Sequence, residues 1–116
     1  MGRALLVAAL AAVPGLAAAQ DVYGNAEGCS RLTESPMIGD GAALWYPDRI
    51  EFHEAICPIV AVLAVGSGAT QLTLACSGEG ADWETRYMLQ TTQEADTWVL
   101  SPADYPDLQT TLVPCG

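Results

Sequence analysis

"CPIVAVLAVGSGATQLTLAC", Cys57 to Cys76, is the stretch that decides the fold. Pro58 to Val65 is continuously apolar and rich in β-branched residues, a composition that suits a strand covered on both faces. The Gly66-Ser67-Gly68-Ala69 segment then supplies a turn. After it the period changes to two, and Leu72, Leu74 and Cys76 point inward from a second strand. In a hairpin centred near position 67, directly opposed residues carry numbers summing to about 134. Cys57 and Cys76 sum to 133, so they lie almost opposite each other, within reach of a disulfide. That leaves Cys29 to bridge Cys115. The competing pairing, Cys29–Cys57 with Cys76–Cys115, stays open, because a bulge near Pro58 would shift the register.

Working outward, the same two-residue period continues on both sides. In "RIEFHEAIC", Arg49 to Cys57, Ile50, Phe52 and Ile56 alternate with Glu51, His53 and Ala55, and Glu54 falls on the apolar side. Beyond "GEGAD", the segment "WETRYMLQ" places Trp83, Thr85, Tyr87 and Leu89 on one face. Shorter strands are expected at Trp98–Leu100 and Leu108–Val113. Strands of this length, separated by Gly, Pro and Asp turns, make an all-β antiparallel meander that forms a curved sheet or partly closed barrel. Residues 41–116 are read as this disulfide-stapled β domain, and residues 20–40 as mostly coil, tethered by Cys29. No segment carries a 3.6-residue period.

The N-terminus reads as a targeting segment. Arg3 precedes an unbroken apolar run from Ala4 to Val13, Pro14-Gly15 breaks it, and Ala17-Ala18-Ala19 offers small residues for cleavage. Residues 1–19 are therefore expected to be a cleaved signal peptide, and the alanine-rich leader points to a bacterial periplasmic or secreted protein. An even number of cysteines in a small exported chain supports the two bridges and argues against a reduced zinc site. The chain holds 14 acids and four arginines, for a net charge of −10; loss of Arg3 with the leader makes it −11. Such a surface repels nucleic acid and anionic membrane, and favours a cationic protein partner.

The segments "RIEFHEAIC" and "CSGEGADW", with the closing Cys115, resemble a group of small secreted proteobacterial proteins. Members share an Ile-Glu-x-x-Glu-x-x-Cys segment followed by Cys-x-Gly-Glu-Gly-x-x-Trp. The resemblance implies a compartment and a compact β fold, without a chemistry. It also implies that Glu51, Glu54, Cys57, Cys76, Gly78, Glu79, Gly80 and Trp83 form one structural unit.

Three of these residues are candidate binding groups: Glu54, Glu79 and Trp83. Gly78 and Gly80 can take positive φ and make a tight connection, so Glu79 reads first as a turn acid. It reads second as a recognition carboxylate backed by the Trp83 indole. Glu54, on the inward side of its strand, is expected to pair with Arg49 or Arg86, or to accept amides from the Gly78–Gly80 loop. His53 reads as an exposed strand residue. A calcium site from Glu79, Asp82 and Glu84 lacks the alternating-acid loop pattern of a strong cation site. With no nucleophile–base arrangement, no catalytic residue and no cofactor are assigned.

The function expected is that of an exported, non-enzymatic binding or protein-interaction module. One specific form is a periplasmic inhibitor of a cationic hydrolase such as lysozyme, although the Tyr-x-Cys opening and Lys-Gly turn associated with C-type lysozyme inhibitors are missing. Another is an accessory or structural subunit of an envelope complex, which would expose an apolar patch around Trp45-Tyr46.

Overall fold

The computed structural model describes residues 21–33 and 41–116. The expected signal peptide, residues 1–19, lies outside the described residues. Eight antiparallel strands close into a barrel in sequence order. They are β1 (Tyr23–Gly24), β2 (Ala43–Tyr46), β3 (Arg49–Phe52), β4 (Ala55–Gly66), β5 (Ala69–Gly78), β6 (Ala81–Thr91), β7 (Trp98–Pro102) and β8 (Thr110–Pro114). β1 pairs with β8 and shuts the seam. The all-β meander and both favoured disulfides are present, and the barrel is closed rather than partial.

The interior follows the alternation. Ile50, Cys57, Leu72, Leu74, Cys76, Leu89, Leu100 and Leu112 form the buried cluster with Ala43. Trp83, Thr85, Tyr87 and Leu89 pair across to Cys76, Leu74, Leu72 and Thr70, so they share one face. Trp45 of β2 packs between Tyr23 of β1, tilted against it, and Trp98 of β7, met edge-on, at centroid distances of 5.1 and 5.2 Å. These aromatics are packed against the core, and Trp45 and Tyr46 are both partly buried, so this segment does not form the exposed apolar patch expected of a subunit.

The Cys57–Cys76 bridge owes its position to a bulge. In the outer half of the β4–β5 hairpin, paired residues sum to 134, as in Val62 with Leu72. In the inner half they sum to 133, as in Ile59 with Leu74, because Val60 is an extra residue on β4. With Val60 bulged out of the pairing, Cys57 falls opposite Cys76, at a Cα–Cα distance of 4.0 Å.

Three local findings refine the expectations. Of the segment 20–40, expected to be mostly coil, the described residues 21–33 include the two residues of β1 and a six-residue helix, α1 (Ala26–Arg31). Six residues are too few to display a helical period, but Asn25 caps the helix by accepting from the Gly28 N–H at 2.7 Å. The Asn25 amide also donates to the Gly41 carbonyl at 2.6 Å, and its oxygen accepts from Ala43 N–H at 3.0 Å. α1 thereby docks on β2, where Cys29 reaches Cys115.

Second, "RIEFHEAIC" is a hairpin, not one strand. Phe52 pairs with Ala55, so His53-Glu54 is a two-residue turn. The turn reverses the parity after it: Ile50 and Cys57 face inward together, while Ile56 lies outward opposite Glu51 and is 53% exposed.

Third, the Pro58–Val65 run is not covered on both faces. β3 pairs with β4 only from Ala55 to Pro58, because β2 and β3 are four residues long and β4 is twelve. Past Ile59, whose N–H donates to the Asp48 carbonyl, β4 projects beyond its neighbour. Val60, Val62, Leu63 and Val65 are each about half exposed or more.

Candidate functional site

Two turns meet at one end of the barrel. Gly78 pairs with Ala81, so Glu79-Gly80 forms a two-residue connection between β5 and β6. Both residues have positive φ, 50° for Glu79 and 79° for Gly80, as the turns that fit strand twist require. Glycine was expected to supply this conformation at 78 and 80; the structure puts it at 79 and 80. Gly78 is needed for a different reason. A Cβ there would collide with the Glu54 carbonyl and crowd Ala55, so the β3–β4 turn rests directly on the end of β5.

That contact brings the three candidate binding residues together. Glu54 from one turn, Glu79 from the other and Trp83 from β6 line a single open cleft of about 500 Å³. Phe52, His53 and Ala55 border it on the β3–β4 side, Gly78 and Ala81 on the other. Trp83 is 45% exposed although its cross-strand neighbour Cys76 is buried, because β6 extends here beyond the covered part of the barrel. Phe52 stacks on Tyr87 at 5.4 Å behind the cleft, and burial pushes the Tyr87 phenol above its ordinary pKa.

The charge pairing expected for Glu54 is corrected as well. Its side chain is more than half exposed, and its ionic neighbour is His53, with Nε2 3.4 Å from the Glu54 carboxylate. Arg49 is engaged elsewhere: it donates to Glu51 at 2.7 Å and to Asp48 at 2.9 Å, and its guanidinium lies 3.8 Å from the Tyr46 ring centroid. The hydrogen bond from Arg49 to Glu51, helped by that to Asp48 and opposed by burial, raises the Arg49 pKa. Arg86 borders a separate cleft with Glu84 and Asp104. The loop that Glu54 meets, it meets through its main chain.

Among the described residues, then, the cleft is lined by two carboxylates and an indole, with no arginine. His53 was expected to be an exposed strand residue and is instead a half-covered turn residue. Its Nδ1 is buried without a hydrogen-bond partner among the described residues. Arg31, which drew no attention in the sequence, donates to the Phe52 carbonyl at 3.2 Å and ties α1 to the same turn.

Glu79, Asp82 and Glu84 do not gather into a cation site. Asp82 accepts from Ser77 Oγ at 2.9 Å, Glu84 faces the Arg86 cleft, and no group of three potential ligands comes together among the described residues. The arrangement is suited to holding a cation's charge against an aromatic face, by Coulomb attraction from two directions and by the ring quadrupole. Both disulfides point to an oxidising environment. No helix among the described residues is long and apolar enough to cross a membrane. Comparison with protein-family models, curated proteins and solved structures finds no match to this chain.

Proposed function

We propose that this is an exported bacterial binding module, periplasmic or secreted and non-enzymatic, whose cleft receives a lysine or arginine side chain of a cationic protein partner. One observation carries the reading: Glu54 and Glu79, presented by separate turns, share an open cleft with a half-exposed Trp83. Backbone conformation adds to it. A glutamate at positive φ is disfavoured relative to Asn or Gly, and such strain accumulates where a side chain has a task. The net charge of −10 would steer a cationic partner toward the surface and raise its encounter rate at low salt. Inhibition of a cationic hydrolase is the specific form that this chemistry fits.

Lysozyme is the probe, titrated calorimetrically at low and at high salt. Binding at low salt is expected, weakened by salt and lowered about tenfold or more by Glu54→Gln and by Trp83→Ala. Glu79→Asn is the decisive variant, because asparagine accepts positive φ and leaves the turn intact. Lost binding in that variant is therefore lost charge, not lost fold. No complex at low salt, or a complex indifferent to all three substitutions, overturns the proposal.

A further inference from the structure

The β4–β5–β6 sheet has two outer edges that its neighbours cover incompletely. β3 leaves β4 after Pro58, and β7 joins β6 only from Tyr87 onward. Among the described residues no strand pairs with the outer edge of Val60–Gly66, nor with that of Ala81–Thr85. An unpaired edge presents main-chain donors and acceptors to any passing strand, and proteins that must stay monomeric blunt it with charge or proline. The β6 edge is blunted in this way by Asp82 and Glu84. The β4 edge is not. From Ala55 to Gly78 the chain contains no charged residue at all, and Val60, Val62, Leu63 and Val65 stand exposed.

The geometry points to a second copy of this chain as the occupant of the β4 edge, added antiparallel across a two-fold axis. Charge selects that partner. Two molecules of net charge −10 repel wherever their acids meet, and among the described residues this hairpin is the longest stretch that would meet a copy without opposing acids. Register permits it too. A two-fold perpendicular to the sheet pairs residues whose numbers sum to an even value. Centring it on Leu63 sets that residue against its own counterpart, with Val62 against Ala64 of the second copy and Ala61 against its Val65, a larger side chain beside a smaller one in both flanking pairs. The regular stretch available, Ala61–Ala64, lies between the irregularities at Val60 and Val65, so main-chain pairing is short and the exposed valines and leucine supply most of the contact. This surface lies at the Gly66–Gly68 end of the hairpin, apart from the acidic cleft at the opposite end, and its test is independent of any cationic ligand.

Sedimentation velocity on the purified protein, from about 1 to about 100 μM, reads the outcome. A reversible dimer is expected. Leu63→Lys and, separately, Val65→Lys should raise its dissociation constant at least about tenfold while leaving the far-ultraviolet circular dichroism unchanged. Both positions are exposed, so the monomer tolerates the charge. A wild-type protein monomeric throughout the range overturns the inference, as does a dimer that survives both substitutions. Monomers that co-float with phosphatidylglycerol vesicles through this hairpin would assign the edge to lipid and overturn it equally.

Discussion

The outer edges of β4 and β6 belong to one three-stranded sheet, yet they are written in different alphabets. Val60–Val65 is wholly apolar, whereas Ala81–Thr85 carries Asp82 and Glu84 around Trp83. Each edge is left open by the same cause, a short neighbour beside a long strand. Geometry alone therefore does not decide whether an edge is an interface; the side chains set along it do. The acidic edge ends at the cleft proposed to take a cationic group, and the neutral edge suits the like-charged copy proposed for it. A single chain can keep its two kinds of contact apart by this division.

The contrast between edges depends on the rest of the barrel staying shut, and the largest effect comes from undoing that. Cys29–Cys115 ties α1 to the residue after β8, across 86 positions, and holds the β1–β8 seam. Loss of this bridge as a paired Cys→Ala change is expected to cost about 4–5 kcal/mol, against about 3 kcal/mol for Cys57–Cys76. Thermal unfolding of the two double variants, followed by circular dichroism, checks both the size and the order. If the seam variant is the more stable of the two, the short β1 contributes less to closure than its position implies.

Next comes Gly78→Val. Its side chain would press on the Glu54 carbonyl and separate the two turns at the acidic end, at a cost on the order of 1–3 kcal/mol. Lysozyme binding should fall with it, while sedimentation of the folded fraction stays that of the wild type. Parallel loss of both properties would show that the two ends of the sheet are not separable.

The smallest change in stability is expected from making the edges alike. Asp82→Thr with Glu84→Thr, placed in the Leu63→Lys background, should shift stability by no more than about 0.5 kcal/mol. It should nonetheless restore self-association, visible by light scattering, through β6 instead of β4. A protein that stays monomeric would show that the bare main chain of this edge is insufficient and that exposed apolar side chains are required.

The strands that could be read in the sequence are those whose alternation is long enough to repeat. β5 and β6 declare themselves through Leu72, Leu74, Cys76 and through Trp83, Thr85, Tyr87 and Leu89, and the Cys57–Cys76 link follows from counting across Gly66–Gly68. The His53-Glu54 turn could not be read, because neither residue is a turn former and the alternation resumes at Ile56 on the same parity, with Glu54 alone out of place. Two residues of β1 and six of α1 are too few to show any period. Exposure of β4 is not a local property at all: it depends on where β3 stops. The same holds for the cleft. Glu54, Glu79 and Trp83 were each visible as unusual residues, and the expected approach of Glu54 to the Gly78–Gly80 loop occurs, but through its main-chain carbonyl against Gly78, which no pattern of side chains encodes.

Val60 has a wider consequence than the cystine it aligns. One surplus residue on one strand bends and coils a ladder, so it fixes the heading along which the projecting arm leaves the body. Deleting it would let the sulfurs stay joined while the arm swings to a new bearing. Two joined molecules would then hold their acidic mouths at a different mutual angle, and whatever must engage both at once would lose its fit without any contact residue having been altered.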